Sequence, residues 1–288
     1  MEPKVCILTD SLTCLTKELV EQYGIGIVPL SFYVGDKHYR DWVDVTPSQA
    51  YELFLKDPDA FKTSPASPGV FFEAYRELSE QGKDILCITL SSKLSTEYEI
   101  ACVAKEQAGS ELPQTSIEVL DSQTVTASQG FIALAAARVA AEGQGLAEVV
   151  KVAEETRGKA TFILLLETIR HVYRCGRIPK IAAQVGSKLN IKPILTCSSG
   201  SAGLVSFAGA VRNKEHGVTH ILKMMRDKVG QNPVHVAVMH AYAQDEAERL
   251  KEQISSEFNC AELWLTELSP LMGYTTGTGT LGFAYYPE

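Results

Sequence analysis

The chain has 288 residues, a formal net charge of −8 and 45% hydrophobic residues, which suits two domains with sizeable cores. The acidic balance argues against nucleic-acid or anionic-membrane partners, which want a basic patch, and no apolar run approaches the roughly eighteen residues of a transmembrane helix. Seven cysteines without a CxxC pair or zinc spacing, and a start without signal-peptide organisation, predict reduced thiols and a cytoplasmic protein.

Taken in order, Val5 to Thr9 predicts a buried strand ending at Asp10-Ser11, followed by a helix over about 15–23. A second apolar run, about 25–32, contains Pro29, which marks an edge or a bulge. Residues 33–46 read as a hairpin-like excursion, and Thr46-Pro47 opens a helix to about Leu55. Lys62-Thr63-Ser64-Pro65-Ala66-Ser67-Pro68 reads as a rigid hydroxyl loop, with Ser67 as N-cap and Pro68 at the first position of a helix over about 68–81. Then come a strand (about 85–90), a helix (about 93–108), a strand at Ile117 to Leu120 ending in Asp121-Ser122, and an Ala-rich helix (about 124–142). This alternation predicts an α/β fold, with a parallel, doubly wound sheet in a domain of residues 1–158.

The pattern changes in residues 159–288. After a strand at Thr161 to Leu166, two short helices flank Gly176-Arg177-Ile178-Pro179. Lys192 to Cys197 and Leu204 to Ala208 read as a β-hairpin. A helix (about 213–229), a strand (Val234 to Met239), a helix (about 244–257) and strands at about 261–266 and 281–285 complete a smaller α+β domain with a mixed sheet.

Chemistry-bearing residues concentrate at two hydroxyl clusters, Lys62 to Pro68 and Ser91-Ser92-Lys93-Leu94-Ser95, each before a predicted helix. Hydroxyls and helix N–H groups at the C-terminal edge of an open sheet can hold an anion such as a carboxylate. Ser92 or Ser95 could instead be a nucleophile, but neither lies in a G-x-S-x-G elbow and no histidine falls between His38 and His171. Asp10 and Asp121 suit capping better than acid–base or metal chemistry. Arg177 has the planar donors for a carboxylate or phosphate and equally suits a surface ion pair. His216 and His220 read as a solvated helix face rather than a metal site, and His240 as structural. The Gly277-Thr278-Gly279-Thr280 segment lacks the Lys-Ser/Thr ending of a phosphate loop and reads as a sharp turn before the last strand.

Asp10-Ser11, Lys62 to Ser67, Leu90 to Ser95 with Tyr98, Asp121-Ser122, Gly176-Arg177-Ile178, Lys192-Pro193-Ile194-Leu195 and Gly277 to Gly282 together resemble the DegV family of fatty-acid-binding proteins. They follow the family's order and span nearly the whole chain. The resemblance implies a long-chain fatty acid held between two α/β domains as the ligand, with no cofactor. Its carboxylate would be held by Thr63 and Ser95, with Ser64 and Thr275 beside it and Arg177 as a head-group or partner contact. It also implies a non-catalytic carrier that presents the acid to a separate fatty acid kinase, which makes an acyl phosphate for phospholipid synthesis. A small-molecule enzyme using the same cleft, with Asp10, Ser95 or Asp121 in the chemistry, stays open beside it. Three differences from the family's pattern stand out. Thr96-Glu97 stands where Gly-Thr is usual, Cys175 replaces a glycine, and Thr275 occupies the place of a histidine near the head group.

Overall fold

The structure, a computed structural model, describes residues 4–80, 84–178 and 191–288. A parallel sheet has the order β2-β1-β6-β7, formed by β1 (Val5–Asp10), β2 (Gly26–Val28), β6 (Asp84–Thr89) and β7 (Ile117–Asp121). All six residues of β1 are buried, as a strand covered on both faces must be. Alternation divides its neighbours between two layers. Val5, Ile7, Leu86 and Ile88 pack with helix α5 (Ala127–Ala141), whereas Leu8, Ile85 and Cys87 pack with α3 (Pro68–Ser79) and α4 (Glu97–Glu111).

The second sheet is mixed, with the order β10-β9-β8-β13-β11-β12. Its strands are β8 (Thr161–Leu165), β9 (Lys192–Cys197), β10 (Ser206–Val211), β11 (Val234–His240), β12 (Cys260–Glu267) and β13 (Leu281–Pro287). Only β11 and β12 run parallel. Ile163, Leu165, Val236, Val238 and Phe283 face helices α8 (Lys214–Val229) and α9 (Gln244–Glu257). Phe162, Leu164, Leu195 and Ala284 point the opposite way, into the core that contains α5. That helix is therefore wedged between the two sheets, with eleven of its fifteen residues buried. Alanine suits this place because it favours helix and lets both sheets approach closely.

A small antiparallel sheet, β4-β3-β5, joins β3 (Ser31–Val34), β4 (Lys37–Arg40) and β5 (Phe61–Ser64). The hairpin-like excursion is thus β3 and β4, reached from β2 through Pro29, just beyond an edge strand. Helix α2 (Pro47–Lys56) begins in a full capping box between Thr46 and Gln49.

Several expectations change. Thr63 and Ser64 are not loop residues, because they pair with Phe32 and Ser31 across β3. Phe61 stacks on Phe32 at 4.8 Å and anchors that strand, and Pro65 then ends it. Ser67 precedes α3 in extended conformation, but its exposed hydroxyl makes no capping bond. Between the strands expected at about 261–266 and 281–285 lies a further short helix, α10 (Pro270–Thr276). Another, α7 (Arg170–Cys175), precedes Gly176, and the second helix expected beyond it lies outside the described residues. No helix among the described residues is long and apolar enough to cross a membrane.

Candidate functional site

The two hydroxyl clusters meet at the C-terminal edge of the parallel sheet, where the carboxyls of Asp10, buried, and Asp121, half-buried, organise the second of them. Asp10 accepts from the N–H groups of Leu12 (3.0 Å) and Leu90 (2.7 Å) and from Gln129 Nε2 (2.9 Å). It therefore caps the turn after β1 and fixes the start of the second cluster, the structural role favoured by its sequence position. Burial pushes its pKa up to about 6 against these bonds. Asp121 likewise accepts from Ser92 Oγ (2.6 Å) and from the N–H of Gln123 (2.8 Å). Ser91 Oγ donates to the Gly203 carbonyl at 2.9 Å, tying this cluster to the turn between β9 and β10. Two of the three serines are thus spent on the scaffold.

Beside these loops runs a cavity that encloses about 740 Å³ free of protein atoms, its open mouth included. Its deep wall is apolar. Phe162, Leu164 and Leu195 come from the mixed sheet and Leu12, Leu90 and Val125 from the strand ends, all 5% exposed or less. Its polar lining comprises Thr63, Ser64, Ser95, Arg177, Thr275 and Thr276. All five residues expected at a head group therefore line one cavity, although 212 positions separate the first from the last (275 − 63). Asp10 and Asp121 do not line it.

Each lining group has a distinct local cause. Thr63 lies near the end of β5, and its Oγ1 is 3.2 Å from Nη2 of Arg177, which is exposed just past α7. Ser64 Oγ donates to the Pro65 carbonyl at 3.2 Å. Ser95 stands in the turn before α4, its N–H on the Ser91 carbonyl. Thr275 belongs to α10, where its hydroxyl donates to the Leu271 carbonyl at 3.3 Å, so its proton is committed to its own helix. Thr276, Leu271 and Met272, which sequence reasoning missed, line the cavity from the same helix. The signal was present as Ser269-Pro270, a capping hydroxyl followed by proline, and Ser269 Oγ does accept from the Leu271 N–H.

Two further features support this wall. Gly273 faces the Tyr51 ring so closely that an added Cβ would lie 2.1 Å from it, so only glycine lets α10 pack on α2. After α10 the chain turns through Gly277 and Gly279, at φ of 87° and 81°, consistent with the sharp-turn reading. His216 and His220 are exposed on α8, and no group of three metal-ligating side chains occurs among the described residues. His240 is buried, and its Nδ1 accepts from the Ala243 N–H at 3.2 Å, so it acts structurally at the start of α9.

The family model described as "Uncharacterised protein, DegV family" matches residues 4–288. A DegV domain-containing protein of Clostridium acetobutylicum is 31% identical over 287 residues, covering 99% of this chain and 98% of the relative. The solved structure of a DegV family protein from Thermus thermophilus, reported for its fatty acid binding, superposes with a TM-score of 0.88 at 28% identity, covering 99% of this chain and all of that one. That of DegV, a fatty acid binding protein from Bacillus subtilis, gives 0.88 at 25% identity with the same coverage. Family match and shared architecture extend over essentially the whole chain, and the protein belongs to the DegV family.

Proposed function

We propose that the protein binds one long-chain fatty acid in this cavity, with its carboxylate at the Thr63–Ser95 end and its acyl chain against the apolar wall. The observation that carries the reading is the juxtaposition itself: two hydroxyl clusters and an arginine opening onto one apolar cavity. The solved relatives described as fatty acid binding support it. Affinity would come mainly from the chain. At about 0.8 kcal/mol per methylene, a sixteen-carbon acid offers roughly 11 kcal/mol of gross transfer energy, before the cost of association. The polar end then sets orientation, with Ser64 and Arg177 beside the two principal donors.

In this reading residues 1–158 supply the head-group hydroxyls, and residues 159–288 supply much of the acyl wall together with Arg177 and Thr275. The protein acts as a carrier and hands the exposed carboxyl end to a separate fatty acid kinase. Denaturing organic extraction of the purified protein, followed by mass spectrometry, is expected to release about one long-chain fatty acid per chain. Protein free of lipid that also fails to take up palmitate or oleate would overturn the reading.

A further inference from the structure

Glu97 is the first residue of α4 and is fully buried. A carboxyl in that position is expensive unless it is neutral or paired. One oxygen has a partner: Oε1 accepts from the N–H of Ala66 at 2.8 Å, across 31 positions of sequence. Oε2 has no hydrogen-bond partner among the described residues. The bond joins the two head-group segments directly, since Ala66 follows Thr63-Ser64-Pro65 and Glu97 follows Ser95-Thr96.

We propose that Glu97 is a positioning residue, whose carboxyl latches the Thr63–Ser64 segment to the Ser95 turn and so sets the spacing of the head-group donors. The inference rests on reading the cavity as a fatty-acid site. Without the latch, the Ala66 amide would be buried with no acceptor, and the segment carrying Ser64 would be released from the start of α4 and the Ser95 turn before it.

The surroundings specify the form of the latch. Glu97 interacts with Asp10 at the end of β1 and with the Cys87 thiol on β6, next to the Tyr75 phenol of α3. None of these brings positive charge, and no lysine or arginine among the described residues pairs with Glu97. Burial, reinforced by Asp10, pushes its pKa up to about 8. At neutral pH the group therefore holds a proton, carried on Oε2 because Oε1 is the acceptor. Deprotonation places a charge in a dry site beside a second carboxyl, and relief comes from moving toward water and away from Ala66.

The test compares the full-length wild-type protein with Glu97→Gln, which keeps the acceptor and cannot ionise, and Glu97→Leu, which keeps bulk and loses the acceptor. Two readouts are taken from about pH 6.5 to 9.5: palmitate affinity, by displacement of a fluorescent fatty acid, and hydrogen-exchange protection of the Ala66 amide by NMR. Glu97→Leu is expected to weaken palmitate binding and lower Ala66 protection roughly tenfold or more, the effect of one unpaired buried N–H. Glu97→Gln should stay within about threefold of wild type at pH 7. As pH rises from 6.5 to about 8 the wild type should lose affinity and Ala66 protection and then level off, while Glu97→Gln keeps both. Parallel decline of Glu97→Gln and wild type, or unchanged Ala66 protection in Glu97→Leu, would overturn the latch. If wild type binds no palmitate at any pH, the carrier reading fails, and the Ala66 readout still decides the latch by itself.

Discussion

Arg177 donates to Thr63 across the cavity, Nη2 to Oγ1 at 3.2 Å, and the direction of that bond decides what Thr63 can do. A guanidinium has only hydrogens to offer, so Thr63 must accept. The threonine's own hydrogen is then left to donate to an anion, and the positive charge behind it strengthens that donation. Thr63→Val should weaken fatty-acid binding by about 1.5–3 kcal/mol, the range for hydrogen bonds to charged groups. Arg177→Met should cost a similar amount, and the double variant less than the sum, because both act on one bond. Displacement titrations on the four proteins would check this, and strict additivity would show that the two side chains work apart.

The second cluster makes a sharper contrast. Ser95→Ala should weaken binding by about 1.5–3 kcal/mol with little change in melting temperature. Ser92→Ala and Ser91→Ala remove bonds to Asp121 and to the Gly203 carbonyl, so they should lower stability by about 1 kcal/mol each. Thermal melts and titrations on the same samples separate the two classes.

Stability should fall as the solution is made more alkaline. Asp10 and Asp41 sit at about 6 and Glu97 at about 8, all above their unfolded values, because burial disfavours their charge. The folded protein therefore holds protons that the unfolded chain has released. Their stabilisation is complete below about pH 4 and is lost progressively up to about pH 8. Glu167 and Glu262 are shifted down by their cationic partners and act in the opposite sense, losing stabilisation as pH falls. Glu97→Gln should remove the upper part of the alkaline loss, leaving the variant more stable than wild type at pH 8.5. Urea melts at a series of pH values measure this, and a variant curve parallel to that of wild type would contradict it.

Ser67 and Gly273 test the local packing. Ser67→Ala should change stability by less than about 0.5 kcal/mol, because the hydroxyl makes no capping bond. Gly273→Ala forces a methyl group into the Tyr51 ring and should cost about 2 kcal/mol or more, displacing the helix that carries Thr275.

Thr275 has its proton directed into its own helix, so Thr275→Ala should alter affinity by less than about 0.5 kcal/mol. The DegV resemblance places a histidine there, and a histidine can carry charge near neutral pH where threonine cannot. Thr275→His should therefore raise acyl-phosphate formation in a coupled assay with a fatty acid kinase, if necessary alongside Thr96→Gly. Efficient phosphorylation by the unmodified protein would show that the substitution matters little.

The parallel sheet was legible because its strands are continuous apolar runs separated by amphipathic helices, a pattern that buried parallel strands impose. The residues Thr63, Ser64, Ser95, Arg177 and Thr275 were legible as motifs, though not their meeting at one cavity, which depends on long-range packing. Phe61 to Ser64 hid its strand character because three of its four residues are polar and the pairing partner is far away in sequence, Thr63 lying opposite Phe32, 31 positions earlier (63 − 32 = 31). Ser67 looked like a cap because serine before proline usually is one; here Glu97 holds the neighbouring Ala66 amide instead. No local pattern could have revealed that contact, since a glutamate at the start of a helix ordinarily faces water.

The placement of β13 bears on how the molecule is made. The strand at 281–287 lies between β8 and β11, so a sheet whose other five strands come earlier in the chain cannot close until these residues arrive. During synthesis β10-β9-β8 and β11-β12 would wait as two fragments with open edges, which invite mispairing with other nascent chains. Leu164 and Phe162 of the cavity wall sit on β8, whose partner on one side is β13 itself. The candidate cavity therefore cannot be completed until β13 is in place, and a ribosome paused before residue 281 would hold a chain in which its wall is unfinished.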